Sequence, residues 1–469
     1  MKRVLLCGLL LLAILSLAIF GRTWGNQARQ PNVIFILVDT LRADYLGCYG
    51  FDGDVSPQID SFAQRSIRFG RCCSQSPWTP PSIGSCFTSR YPMPVPTDTG
   101  AFQISILPES HVTLAESFQN AGYETRAFVE NGLLIPQNGF SQGFDTYAQK
   151  SSQQEKFKAF SKFLEWLIER GQGSEAGGQD PSADEKPFFA YIHVMDVHGP
   201  YRYLQPNFDA VKNSESLGPP TPVTAQQLED RPKPIATFIP WTDEAEAKER
   251  RSWRGAYAAG IRLFDRKFGR FMEKLEQAGV LEDSIVVITS DHGEQLLDDG
   301  GWGHGHNLQS YQTNVPLIIR LPKDEHGGAV VGDLVRLVDV TPTLASFCSL
   351  ESVKAWEGRS LKPLMQGSSM PSLPGYSTSI IGDPNIFSVR DRDHLLIWDG
   401  QTNTHSLYDA GQPTWLQKDL SDSLPDVTDQ LSGLVKEHIR QLNSKEPAMG
   451  SAPMPENMIE AVRDLGYIQ

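Results

Sequence analysis

Residues 32–39 read NVIFILVD, a continuous apolar and β-branched run that closes on an aspartate. A strand with one wet face alternates polar and apolar residues. A strand covered on both faces does not, so this run reads as a central parallel strand. Two further stretches have the same form. KPFFAYIHVMDVHGPY (186–201) is a buried strand with a polar tip bearing His198, and DSIVVITSDHGE (283–294) is one whose tip carries Asp291 and His292. VPLIIRLP (315–322) is one more strand. Ligands of parallel α/β sheets bind beyond the carboxyl ends of the strands. Asp39, His198, Asp291 and His292 should therefore meet at one sheet edge.

Helical stretches alternate with these strands. SPQIDSFAQRS offers Ser56 as N-cap and Pro57 as the first helical residue. TLAESFQNAGYETRAFVENG (113–132) reads as a helix, a glycine turn and a strand from about Thr125. In SWRGAYAAGIRLFDRKFGRFMEKLEQAGV, Tyr257, Ile261, Phe264, Phe268, Phe271 and Leu275 recur at helical spacing, and Gly279 ends the helix. Alternating strands and helices give an α/β class with a mostly parallel central sheet flanked by helices. Gly171–Lys186 is Gly/Ser/Asp-rich and reads as a surface loop; the Pro-rich stretch Gln205–Glu249 reads as a rim or lid. From about Ser369 the pattern changes to short antiparallel strands, in IFSVRDRDHLLIWDG and NTHSLYDA, followed by the amphipathic helix VTDQLSGLVKEHIRQL. Residues 369–469 thus form a small C-terminal α+β subdomain.

The chain of 469 residues carries a formal charge of −14, which argues against nucleic acid as a partner. An anion site on such a protein has to be made positive locally. Lys2 and Arg3 precede an apolar run from Val4 to Phe20, so residues 1–30 read as a signal peptide or a single membrane anchor. The expected location is outside the cytoplasm: periplasmic, secreted, or anchored to the outer face of the membrane. Export permits disulfides, but Cys48, Cys72, Cys73, Cys86 and Cys348 are an odd number once Cys7 is removed with the leader.

Asp39, Asp291 and His292 combine hard oxygen donors with an imidazole at strand ends, a set suited to one divalent cation, Mn, Zn or Ca. The imidazole tilts the choice toward manganese or zinc. GGWGHGH (300–306) adds His304 and His306 in a glycine-rich loop. SPWTPPSIGSCFTSRYP (76–92) places one hydroxyl, Thr79, among three prolines, ahead of an expected helix Ser82–Ser89 whose N–H groups could face an anion. His193, in mid-strand, reads as a core histidine or one that supports a metal ligand. Asp196 either orients His198 or caps a turn. Arg42 and Asp44 read as a local pair, Tyr311 as packing, and the acidic LLDDGG (296–301) as a solvated loop.

Taken together, PNVIFILVDTLRADYLGCYG, SPWTPPSIGSCFTSRYP, LAESFQNAGYETRAFVENG, FFAYIHVMDVHGPY, SDHGEQLLDDGGWGHGH and NVPLIIRLP resemble the sulfatase family of the alkaline phosphatase superfamily, in the family's own order. VDVTPTLASF and the closing AVRDLGYIQ look familial as well. The resemblance implies an alkaline-phosphatase-like fold, with a catalytic domain over residues 31–368. It also implies a hydrolase of sulfuric or phosphoric esters that uses one divalent metal. Carried over by position, Asp39, Asp291 and His292 fall on metal-ligand positions. Thr79 falls on the nucleophile position, which also touches the metal. His198 falls on the family's histidine after the middle strand. His304, with His306 as the alternative, falls on the loop that protonates the leaving group.

The sequence departs from the family pattern in several places. Sulfatases convert a Cys or Ser at the nucleophile position to formylglycine; Thr79 cannot follow, because its methyl group blocks the aldehyde. Ile83 stands where the motif has Arg, Thr40 replaces the second Asp of the first strand, and the Lys after the second ligand pair has no counterpart. An unmodified Thr serves in superfamily phosphodiesterases and phosphoglycerol transferases. Phosphoester cleavage or transfer is therefore the first expectation, with an anionic phosphorylated or sulfated small molecule, lipid or glycan as substrate. The alternatives are a sulfuric ester hydrolase on sulfated glycans and a catalytically weak sulfatase-like binding protein.

Overall fold

The structure is a computed structural model. It describes residues 30–92, 103–150, 158–174, 186–199, 243–296, 302–379, 385–411, 418–445 and 450–453, with 211, 214, 217, 298 and 299. Residues 1–29, most of the Pro-rich stretch and AVRDLGYIQ lie outside the described residues.

In chain order the strands are β1 (Asn32–Val38), β2 (Ile67–Cys73), β3 (Gln103–Ile106), β4 (Glu124–Val129), β5 (Thr146–Gln149), β6 (Phe188–Val194), β7 (Ser284–Thr289), β8 (Gln295–Leu296), β9 (Trp302–Gly303), β10 (Asn314–Arg320), β11 (Val330–Arg336), β12 (Gly375–Thr378), β13 (Ile386–Arg390), β14 (His394–Asp399), β15 (Thr404–Asp409) and β16 (Gly450–Pro453). Eight of them form the central sheet, in the order β11-β2-β10-β7-β1-β6-β4-β5. Every pairing in it is parallel except those of β10, which runs antiparallel to both β7 and β2. The carboxyl ends of β1, β2, β4, β6 and β7 therefore open on one edge.

β1 explains its own sequence. Val33, Phe35 and Leu37 enter the core on one face of the sheet, and Ile34, Ile36 and Val38 enter the core on the other. Side chains alternate along a strand, so a strand in the middle layer must be apolar at every position. The helix Asp243–Gln277 covers the second face, and Tyr257, Ile261, Phe264, Phe268, Phe271 and Leu275 are all buried there, as their spacing predicts. Gly279 follows in the left-handed region at φ 68°, open to glycine at little cost. The helices Thr79–Thr88, Leu114–Asn120 and Val340–Phe347 cover the first face through Ile83, Phe87, Leu114, Phe118, Val340 and Leu344.

Several local expectations change. The helix expected from Ser82 begins at Thr79, because Pro80 and Pro81 occupy its first turn, where no N–H is needed. Gly171–Ser174 closes the helix Ala159–Ser174 instead of opening a loop, and residues 175–185 lie outside the described residues. Residues 243–249 of the Pro-rich stretch begin the long helix. Cys48, Cys72, Cys73, Cys86 and Cys348 are all free thiols. No helix among the described residues is long and apolar enough to cross a membrane.

β12–β15 form the antiparallel C-terminal sheet, and the helix Pro425–Asn443 packs Leu431, Val435 and Leu442 against Phe387, Val389, Leu396 and Leu407. β12 is fastened to the loops beyond the central sheet. Ser377 Oγ donates to the Ser74 carbonyl at 2.6 Å, and Thr378 N donates to that of Gln75 at 3.0 Å.

The helix contributes His438, which is stacked on Tyr376 with ring centroids 3.9 Å apart and meets Tyr91 edge-on at 4.7 Å. Burial, with Lys445 and Arg336 nearby, pushes its pKa from 6.5 down to about 3. Above pH 6.5 the ring is neutral in folded and unfolded chains alike, so it adds no pH dependence. Between pH 6.5 and 3 the unfolded chain takes up a proton that the folded chain refuses. Stability should fall there by at most about 1.4 kcal/mol per pH unit from this residue. Urea unfolding midpoints measured from pH 7 to 4 should drop less steeply in His438→Phe than in the wild type.

Candidate active site

The edge where the parallel strands end is polar and deeply buried. Asp39 follows β1, Asn131 follows β4, His198 lies beyond β6, and Ser290, Asp291 and His292 follow β7. Asp39, Asp291 and His292 are 0% exposed, and one ligand atom from each lies within 4.8 Å of the others. Thr79, 1% exposed, sits at the start of the helix after β2, with its Oγ1 3.2 Å from His292 Nε2. Four expected site residues thus converge on one point.

Backbone stitching fixes this convergence. Ser74 and Ser82 both turn their hydroxyls to the Asp291 carbonyl, at 2.5 and 2.7 Å. Ser290 Oγ accepts from Leu41 N at 2.8 Å and donates to the His292 carbonyl at 2.7 Å. Gly293 N donates to the Gln312 carbonyl at 2.8 Å, and a Cβ on Gly293 would lie 2.0 Å from the Tyr311 carbonyl oxygen, so no larger residue fits. Thr40 holds a φ of +61°, a region that β-branched residues avoid. Tyr257 holds it there, donating to the Thr40 carbonyl at 2.7 Å while accepting from Arg42 N at 2.8 Å. The reward is a backbone N–H, Thr40 N, aimed at Asp291 Oδ1 at 3.2 Å.

The two carboxylates are only half satisfied. Asp39 Oδ2 accepts from Asn131 Nδ2 at 2.7 Å and from His193 Nε2 at 2.9 Å, and His193 Nδ1 accepts from Tyr191 OH at 2.7 Å. Asp291 Oδ1 accepts from Thr40 N and from His292 N, the latter at 3.0 Å. Asp39 Oδ1 and Asp291 Oδ2 are buried with no hydrogen-bond partner. Burial acts to raise the pKa of Asp39. The His193 hydrogen bond and the nearby His198, His193 and His292 outweigh it and hold the carboxyl well below its usual range. Two orphaned carboxylate oxygens beside an imidazole nitrogen are a donor set that fits one divalent cation.

Three more rings close the site. His304 lies with its ring centroid 4.5 Å from that of His292, 5.2 Å from that of His198 and 5.5 Å from that of Trp78. Its Nδ1 donates to Glu294 Oε1 at 2.9 Å, which fixes the ring. Burial would raise the Glu294 pKa, but His304 and its hydrogen bond hold the carboxyl below the usual range. His198 is set by a 2.6 Å bond from Nδ1 to the Gly199 carbonyl. His306, the alternative to His304, has both ring nitrogens engaged, Nε2 with Gln295 Oε1 at 2.6 Å and Nδ1 with the His304 carbonyl at 3.1 Å.

Other expectations are refined. His193 does support a ligand position, through Asp39. Asp196 pairs with Lys267 and not with His198. Arg42 bridges Asp44 and Asp298, and Asp298 also meets Arg254, so the stretch LLDDGG contains a wholly buried carboxylate where a solvated loop was expected. Tyr311 does pack, with its OH donated to Asp299 Oδ2 at 2.7 Å. The helix start has few amides for an anion. Pro80 and Pro81 have none, and Ser82 N is taken by the Trp78 carbonyl at 3.1 Å. Asn131, Glu294 and Tyr257 were not foreseen. The helical spacing of Tyr257 marks it only as core, and nothing in the spacing of Asn131 or Glu294 marks a role at the site.

A family model described as Sulfatase matches residues 31–348. The chain is similar to the ulvan-active sulfatase of Formosa agariphila, 23% identical over 363 residues, which are 73% of this chain and 66% of that protein. It is similar to the choline-sulfatase of Rhizobium meliloti, 26% identical over 377 residues, with 72% of each chain covered. Among solved structures, the phosphonate monoester hydrolase of Agrobacterium radiobacter superposes with a TM-score of 0.65 at 19% identity, covering 88% of this chain and 96% of that one. That likeness concerns the fold.

The unclaimed oxygens give a test that needs no substrate. A divalent cation at about a hundred times its Kd should stabilise the wild-type protein by about 2.7 kcal/mol. Manganese or zinc should therefore raise the thermal midpoint of the wild type and leave Asp291→Ala unmoved; equal shifts in both would place the cation elsewhere.

Proposed function

Because the chain belongs to the sulfatase family, a family of ester hydrolases, we propose that it cleaves phosphate-type esters with Thr79 as an unmodified nucleophile. One observation carries this reading. The Thr79 hydroxyl lies 3.2 Å from His292 Nε2, at the point where Asp39 Oδ1 and Asp291 Oδ2 have no partner. Asp39, Asp291 and His292 would hold a divalent cation. When bound, the cation supplies positive charge that favours an ionised hydroxyl and offsets the charge of the ester.

The protein's own groups account for the rest. Thr79 Oγ1, its proton already released to solvent, forms a bond to phosphorus while the bond from phosphorus to the leaving oxygen breaks. His304, held by Glu294, gives that oxygen its proton, and His198 faces the non-bridging oxygens. Water then gives a proton back to His304 and attacks phosphorus, the bond to Thr79 Oγ1 breaks with its electron pair left on the oxygen, and phosphate (from a diester, the phosphomonoester) leaves. His193 and Asn131 keep Asp39 ionised and oriented throughout.

The choice of phosphorus over sulfur rests on the threonine itself. A formylglycine hydrate can expel sulfate by elimination from its second hydroxyl. Thr79 has no second hydroxyl, so its ester has to be opened by attack at the central atom. That route suits a phosphate ester and leaves a sulfate ester trapped. Hydrolysis of a sulfated glycan is the second reading, favoured by relatives such as the ulvan-active sulfatase. The substrate is an anionic ester met outside the cytoplasm, a location supported by Lys2, Arg3 and the apolar run behind them. The segment 1–30 serves as its signal peptide or single anchor.

Intact mass should show Thr79 unmodified, and Thr79→Ala should lower nitrophenyl phosphate ester turnover by at least about a hundredfold with the fold intact. Faster turnover of the matching sulfates, or full activity in the Ala variant, would overturn the assignment.

His198→Ala and His304→Ala should each reduce kcat by about a hundredfold or more while the bound metal stays near the wild-type amount. Metal lost in step with activity would make that histidine a ligand.

A further inference from the structure

Two arginines that the catalytic reading does not use lie in the seam where the C-terminal sheet meets β2. Arg390 ends β13 and is the register partner of Gly375 in β12. Gly375 rests against Cys73, where a Cβ would come within 2.9 Å of the Cys73 Cβ, and Cys73 is two residues beyond Arg71 on β2. Arg390 is 3% exposed. Its Nη1 donates to Ser310 Oγ at 3.3 Å and its Nη2 to the Ala410 carbonyl at 3.2 Å. Arg390 Nε and Arg71 Nη1 are buried donors with no partner among the described residues.

No carboxylate among the described residues forms an ion pair with either arginine. The nearby Asp391 spends its Oδ1 on the backbone N–H groups of Asp393 and His394, at 2.8 and 2.7 Å. Burial, with Arg71 nearby, pushes the Arg390 guanidinium below its usual range although Cys73, Asp391 and Cys72 oppose the shift. A guanidinium does not give up its proton, so the positive charge remains and calls for a counter-charge. In a chain of net charge −14, a buried Arg390 and a half-buried Arg71 each keep one buried donor without a partner.

We propose that Arg71 and Arg390, with Ser310 at one side, form a binding site for a tetrahedral oxyanion of the phosphate or sulfate type. The fork of each guanidinium matches two oxygens of such an anion, and the unclaimed Nε and Nη1 donors supply the bonds. The anion is either a free inorganic ion or a second anionic group on the substrate. The site does not rest on the catalytic reading, since it shares no residue with it.

Calorimetric titration of the metal-loaded wild-type protein with inorganic phosphate should count one more bound phosphate per chain than the same titration of Arg71→Gln. Arg71→Lys, which keeps the charge but loses the fork, should bind more weakly than the wild type. In selenate-soaked crystals an anomalous peak should lie between the two guanidiniums. Equal phosphate counts in wild type and folded Arg71→Gln, or selenate at the catalytic edge alone, would overturn the proposal. Kinetics separate the two sources. If the anion belongs to the substrate, Arg71→Gln should raise KM for a doubly phosphorylated ester about tenfold and leave a singly phosphorylated one unchanged. If KM is unchanged for both while the phosphate count falls, the site takes the free ion.

Discussion

Two carboxylates, Asp39 and Asp291, sit wholly buried at the end of the central sheet with one oxygen each unclaimed by the protein. A buried ionised carboxylate costs several kcal/mol unless it is answered by charge and hydrogen bonds. The surrounding structure is organised around that cost. His193, Asn131, Thr40 N and His292 N satisfy the outer oxygens, while the inner oxygens face each other across a gap lined by His292 and Thr79. The two unclaimed oxygens beside His292 leave a place for further positive charge, which the proposed cation would supply.

Holding that geometry takes more than the strands. Parallel pairing brings the tips of β1, β6 and β7 to one edge, but the exact placement comes from side chains that reach across it. Tyr257, on a helix covering one face of the sheet, clamps Thr40 in a conformation its branched side chain disfavours. Arg42 spans Glu294, Asp298 and Asp44 from the centre of the same region. Through the Glu294 carbonyl it ties the end of β1 to the residue that orients His304. The C-terminal sheet joins in through Ser379, whose hydroxyl donates to the Gly305 carbonyl at 3.2 Å beside His304. The small sheet is therefore part of what aims the histidine loop.

This frame is shared among proteins of differing chemistry. The phosphonate monoester hydrolase and the two sulfatases named above are examples. A scaffold that positions a nucleophile against a cation-binding edge leaves the choice of ester to the nucleophile and to the groups beyond it. In the reading proposed above, the first of these is Thr79 and the second includes Arg71 and Arg390 of the C-terminal seam.

The sequence alone determined the class of fold, the strand tips that carry Asp39, His198, Asp291 and His292, and the prominence of Thr79. Those features lie in local runs, where burial on both faces forces continuous apolar strands and leaves the polar tips to stand out. It also marked the C-terminal strands and the face of the long helix, because period and composition are local properties. Only the tertiary structure decided which side chains complete the site. Asn131, Glu294 and Tyr257 act across 92, 10 and 217 residues of chain, on Asp39, His304 and Thr40. Asp298 looked like part of a wet acidic loop until Arg42 and Arg254 were seen around it. The helix start was read three residues late, since paired prolines suggest a loop and yet fit a first turn. A partner brought near by folding leaves no periodic mark on the chain, so its role exists only once the strands have paired.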